Sequence, residues 1–408
     1  MKKIIAILAA ALMVAALVPA VFASAAGDIT IYIGNEGSDS NAGTAKDKPI
    51  KTFAKAVELA EGKSSCKLLV LPDNTIEFAG DNKSIDFPCP VTIESADRNA
   101  LSTLRCTTTV EINGDVTIDY LNVEANSTYT FKPMDGSKFV FGANNDLIKV
   151  SGYRWILMSG ENLADVTVLT GEWDYLYING SITVGGDASA LIAHPNYACG
   201  GEELAIELPE TKVVIDTTGT INEVYATGLG GNTQVGTATT IIKNGNINFL
   251  YCGGGTQTSG GVAVSYNQYA SCEKSIVNIC GGNITQLFTR GAWKSSYSDG
   301  TPHKNDPKVI ELNIWGEAGK AAYDAAEKVA GDTEVTPVFH KESEPVEDTQ
   351  QGQQGDNTQQ GDNTQQGDNT QQGGTTNPPK TGDEVIFIAV IAIVSLAGAF
   401  VFAKKAHR

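Results

Sequence analysis

Carboxylates at Glu172, Asp174 and Glu223 and cations at Arg290, Lys294 and His303 are the side chains of this sequence best suited to breaking a bond. Hydrolysis of a glycosidic bond takes two carboxylates facing each other across it, one to protonate the leaving oxygen and one to activate water or attack. Glu172, Asp174 and Glu223 fall at unlike positions of a repeated phrase, and on a chain with net charge −18 they read as solvated acids. Arg290, Lys294 and His303 lie close together in a loop-rich stretch and are the best set for an acidic substrate. A different chemistry is offered by rings. Trp173, Tyr175, Tyr177, Tyr225, Tyr251 and Phe288 recur at matched places, and an aromatic side chain combines a flat apolar face with a polar rim, a surface on which a sugar ring can stack.

Metal and redox chemistry have less support. The seven cysteines (Cys66, Cys89, Cys106, Cys199, Cys252, Cys272 and Cys280) are odd in number and contain no C-x-x-C pair. A structural zinc site is therefore not expected, and buried free thiols are expected in place of a disulfide framework. "DSNAG" (39–43) starts like a calcium loop but lacks the third ligand and the glycine of that pattern. Asp39 and Asn41 are expected to make side-chain-to-backbone turns. No cofactor is expected; calcium would enter only with an enzymatic activity.

The elements that position the rings come from one phrase written four times: "GEWDYLYING" (171–180), "GTINEVYATG" (219–228), "GNINFLYCGG" (245–254) and "GNITQLFTRG" (282–291). Each copy opens on Gly, with a large apolar residue third, Leu or Val sixth and an aromatic seventh. Alternating runs such as "VTVLTG" and "VVIDTTG" stand just ahead, so Val, Ile and Thr in period two mark short half-buried strands, and Gly marks turns. The copies start 48, 26 and 37 residues apart. These gaps fit coils of about 24–26 residues, with 48 as two coils and 37 as one coil plus an insertion. Stacked units that cannot bury an apolar face alone make a solenoid, and the parallel β-helix is the all-β architecture that satisfies the pattern. Trp173/Leu176, Ile221/Val224, Ile247/Leu250 and Ile284/Leu287 are then expected in the core. The seventh-position rings form a ridge that is either an inward aromatic ladder or an outward platform for sugars.

Residues 27–62 are expected to cap the open end. A strand in "ITIYI" leads through a polar turn to a helix whose Phe53, Ala56, Val57 and Ala60 share one face. A second helix, "GKAAYDAAEKVAG" (319–331), could cover the last coil. The opening run, with "GSDSNAGT", "PIKT" and "FAKA", closely resembles the start of right-handed β-helix proteins of the pectate-lyase-like superfamily, and "CKLLVLPDNTIEF" (66–78) is similar to their first coil. The resemblance implies a right-handed parallel β-helix over 63–340 and, in many members, a polysaccharide lyase or hydrolase. The arginine-rich signature of the pectate lyases and the aspartate pairs and Gly-His-Gly of the polygalacturonases are absent from this chain.

The ends give an address. Residues 1–26 have the charged start, apolar centre and small-residue site of a secretory signal peptide. Residues 341–377, with "QQGDNT" three times running, are too polar to bury a core and read as a disordered stalk. The uncharged run 385–403 reaches about 28 Å as a helix, long enough to cross a bilayer. With "NPPKTGDE" before it and "KKAHR" after it, segment 378–408 resembles the LPxTG-type cell-wall sorting signal of Gram-positive surface proteins, with Pro378 where Leu is usual. The resemblance implies that a sortase reads Pro379, Lys380, Thr381 and Gly382, cuts between Thr381 and Gly382, and joins Thr381 to peptidoglycan. A chain this acidic is repelled by nucleic acid. The sequence therefore points to a wall-anchored surface protein displaying a β-helix to bind a glycan or a surface protein, with a polysaccharide lyase or glycoside hydrolase as the alternative.

Overall fold

The computed structural model describes residues 27–345 except 81, 126–129, 150–154, 196–206, 229–233, 256–257, 260–261, 264–270, 292–306 and 330–334. The signal peptide, Cys199, Lys294, His303, nearly all of the stalk, the sorting residues Pro379, Lys380, Thr381 and Gly382, and the apolar run 385–403 lie outside the described residues. Among the described residues, no helix is long and apolar enough to cross a membrane.

The described chain is all-β with two helices, and its strands pair in parallel except for one two-stranded hairpin, Thr258–Ser259 with Val262–Ala263. Its rungs line up on three flanks, an arrangement consistent with a parallel β-helix. One early circuit shows the order: Thr75–Phe78 lies on the third flank, Ser84–Asp86 on the second and Val91–Ser95 on the first. On the first flank Leu68 pairs with Ile93, Ile93 with Ile118 and Ile118 with Phe141, circuits of 25, 25 and 23 residues. Among the described residues the third flank ends at Asp146–Lys149. Beyond it the first and second flanks join into long bent strands such as Glu172–Gly186 and Glu207–Tyr225. The circuit from Val166 to Ile182 has only 16 residues, too few for a third strand. The 48-residue gap does hold two rungs, but they are 17 and 31 residues long (Leu176 to Ala193, Ala193 to Val224).

The phrase has a geometric cause. In a straight strand, residues three apart face opposite sides, yet Trp173/Leu176, Ile221/Val224, Ile247/Leu250 and Ile284/Leu287 all lie in the main core. The strand bends at the fourth position. Trp173 pairs with Ala190 and Tyr175 with Ile192 at one constant register, and the position between them, Asp174 opposite Leu191, is left unbridged. The amides of Asp174 and Tyr175 both reach the Trp155 carbonyl, at 2.9 and 3.2 Å. Amide side chains link successive rungs: Asn248 donates to Asn222 at 3.0 Å at the bend, and Asn283 donates to Asn246 at 3.0 Å beside the opening glycines. Glycine is needed where the corner turns left-handed, as at Gly245 (φ 121°). At Gly180 (φ 103°) a Cβ would also come within 2.5 Å of the Ala164 carbonyl oxygen.

Helix α1, Phe53–Ala60, buries Phe53, Ala56 and Ala60 against the first coil, with Phe53 edge-on to Phe78 and Phe87 at 5.3 Å each. Thr52 caps it by accepting from the Lys55 amide. Asp39 accepts from the Thr52 hydroxyl and from the amides of Thr52 and Lys51, which holds its carboxyl below the usual range, and Asn41 donates to the Pro49 carbonyl. The polar turn is thus built by side-chain-to-backbone bonds. The second helix differs from expectation. α2 is Gly316–Ala325, and 327–329 is a strand paired with Gln286–Phe288, so the helix is an insert and Val338–His340 adds a further rung after it.

Among the described residues, four buried threonine hydroxyls (Thr130, Thr211, Thr227 and Thr240) lack a hydrogen-bond partner. Thr240 stands between Val213 and Val277 in a core column, fully buried, with no hydrogen-bond partner for its hydroxyl. Thr240→Val should stabilise the protein by about 1–3 kcal/mol, since an unmade buried hydrogen bond costs that much. A chemical melt showing no rise in midpoint would contradict the assignment. The six described cysteines are free and buried. Burial pushes the Cys66 and Cys252 thiols up to about 12 and those of Cys272 and Cys280 up to about 11. Because the thiolate is the nucleophile, iodoacetamide at pH 8 should leave all six unmodified by mass spectrometry until denaturant is added.

Candidate functional site

The seventh-position rings lie on the outer side of the second flank, away from the main core. From rung to rung run Met158, Tyr177, His194, Tyr225, Tyr251, Phe288 and Val329, with His194 and Tyr225 following the pair Ala193 and Val224 and lying edge-on at 6.3 Å. Tyr225 and Tyr251 stack at 4.8 Å between centroids and 7° between planes, and Tyr251 and Phe288 at 4.5 Å and 25°. Tyr177 lies 4.2 Å from His194 and 5.1 Å from Tyr175. The stacking direction is along the solenoid, so both faces of Tyr251 are covered and only its edge points outward. Tyr177, His194 and Tyr225 are buried, while Tyr251 and Phe288 are half-buried. The ridge is therefore neither of the two expected arrangements. It faces out from the core, but its rings pack against one another instead of presenting their faces.

Trp173 does not belong to it. Its ring is 3 % exposed inside the main core, edge-on to Phe141 at 5.2 Å and to Trp155 at 5.9 Å, and offers no face to a ligand. The bend explains the separation, because it sends the third position inward and the fifth and seventh outward.

A second outer column runs beside the ladder through the fifth position: Ile156, Tyr175, Ile192, Glu223, Phe249, Gln286 and Glu327. From Tyr175 to Gln286 its members are half-buried. Strands 4.7–4.9 Å apart make this a row of side chains at roughly that repeat. Phe249 touches only the rim of the ladder, 6.4 Å from Phe288. Glu223 accepts a hydrogen bond from the Tyr225 hydroxyl, and Gln286 donates to Glu327 at 2.6 Å. Burial, with the Glu223 carboxylate close by, pushes the Tyr225 phenol far up and Tyr251 up to about 12, so both hydroxyls stay protonated.

The remaining candidates are dispersed. Glu172 is exposed, and Asp174 accepts from the Trp155 amide at 2.8 Å as part of the bend. Neither shares a rung with Glu223, so the three acids form no pair across a groove. Arg290 is half-buried just past the Phe288 rung. Among the described residues, no three His, Cys, Asp or Glu side chains gather as a metal site.

Ile192, His194 and Phe249 were not singled out by sequence. Rung 189–195 has Ala188 where the phrase has Gly, and Ala190 and Ala193 where it has large apolar residues, so only His194 in the ladder position marks it. Phe249 would follow from noticing that Tyr175 already occupies the fifth position. No protein-family model, curated protein or solved structure matches the chain.

Proposed function

We propose that the chain is an exported surface protein whose right-handed parallel β-helix, of the pectate-lyase-like kind, binds glycan along the outer side of its second flank. In this reading the segment 378–408 is cut by a sortase between Thr381 and Gly382, and the stalk holds the solenoid away from peptidoglycan. The observation that carries the binding reading is the half-buried column Tyr175, Ile192, Glu223, Phe249 and Gln286, which alternates apolar and hydrogen-bonding side chains across five successive rungs on the side opposite the core. A glycan presents the same alternation of apolar C–H faces and hydroxyls.

Retention of the protein on insoluble polysaccharides tests it. Tyr175→Ala combined with Phe249→Ala should weaken retention about tenfold or more, from the loss of two ring contacts. Unchanged retention would remove the column from the site. Shortened chains in the supernatant would instead mark a lyase or hydrolase and turn attention to Arg290.

A further inference from the structure

Glu223 is the one member of the outer column that is a carboxylate between apolar neighbours. Ile192 and Phe249 are its register partners on the two adjoining rungs, and its described hydrogen bond comes from the Tyr225 hydroxyl beside it on the same strand. Among the described residues no Lys or Arg lies within ion-pair distance of it. A carboxylate accepts but cannot donate, so a second partner for Glu223 must bring a proton. Glu327 stands further along the same column, and the whole chain carries −18.

Resting on the glycan reading, we infer that the occupant is a glycan bearing free amino groups, its ammonium seated on Glu223 and its apolar C–H faces over Ile192 and Phe249. Charge decides between the glycan classes. A uronate polymer would meet like charge at Glu223 and again at Glu327. A neutral glycan could offer Glu223 only a hydroxyl. An ammonium makes a charge-assisted hydrogen bond, roughly twice as strong as a neutral one. Lysine side chains of a protein could supply the same cation, but they would not provide the apolar ring face that the residues on both sides of Glu223 match.

The experiment is calorimetric titration of the whole protein with three oligosaccharides of equal length: glucosamine, N-acetylglucosamine and galacturonate oligomers. The glucosamine oligomer should bind about tenfold more tightly than its N-acetylated form, the size of one charged hydrogen bond. Glu223→Gln, which keeps an acceptor for Tyr225, should erase that difference. Asp165→Asn removes the same charge from an exposed site on the first flank and should leave the difference intact, which separates a specific contact from general attraction of a polycation to an acidic chain. Equal binding of both glucosamine forms, tighter binding of galacturonate, or a preference that survives Glu223→Gln would overturn the inference while leaving glycan binding in place. No binding of any oligomer would overturn both. A lysine-rich peptide binding in a Glu223-dependent way, with no oligomer bound, would replace the glycan by a protein partner.

Discussion

Trp173→Ala should destabilise the protein by about 3–5 kcal/mol, the range for removing a large buried ring. The side chain is 3 % exposed, meets Phe141 and Trp155 edge-on, and its indole nitrogen donates to the Thr170 carbonyl at 3.0 Å. Cutting it back to Cβ opens a cavity and strands that carbonyl together. The surroundings are poorly placed to collapse into the gap, because the Glu172–Gly186 strand is hydrogen-bonded to a rung on either side. The position also lies near the step where the third flank stops, and Leu147 of the last third-flank strand lines a shallow cavity there with Trp155, Gly171 and Glu172. A urea melt gives the test. A loss below about 1 kcal/mol would mean that the ring is not the core filler described here. A solenoid can unfold in sections, so an altered slope with an unchanged midpoint would report loss of coupling between coils at this step.

What could be read from sequence was whatever repeats with large side chains. Third and sixth positions were legible because Trp173, Leu176, Ile221, Val224, Ile247, Leu250, Ile284 and Leu287 stand at fixed distances from a glycine, and all eight are in the core. Residues 53–60 were legible because an apolar face of period 3.6 is self-contained. Four things were not. The rung at 189–195 uses alanines where its neighbours use Trp and Leu, so its membership depends on pairing with strands on both sides. The loss of the third flank after Lys149 depends on how many residues a circuit contains, and that is fixed only by register. Helix α2 stops at Ala325 because 327–329 pairs with a distant rung, a tertiary preference that overrides the local helical pattern running on to 331. The direction of the outer rings was undetermined for a further reason. Period two says which side a residue takes, but the bend at the fourth position resets the count.

Beyond that bend the fifth and seventh positions share the outer side but differ in what covers them, and Tyr251→Ala against Phe249→Ala measures the difference. Tyr251 lies between Tyr225 and Phe288 with both faces covered. Its removal breaks two aromatic pairs worth about 0.5–1.5 kcal/mol each beyond burial, so a loss of about 2–4 kcal/mol is expected. Tyr251→Phe keeps both pairs and should cost little. Phe249 is half-buried, and among the described residues its one ring contact is with Phe288 at 6.4 Å, so Phe249→Ala should cost less than about 1 kcal/mol in a melt. Ligand retention should show the opposite order, with Phe249→Ala weakening it and Tyr251→Phe leaving it unchanged. If both variants lose stability alike and neither changes retention, the outer side of the second flank is packing throughout. If the two orders oppose each other, the seventh position holds successive coils together and the fifth is left to contact a ligand.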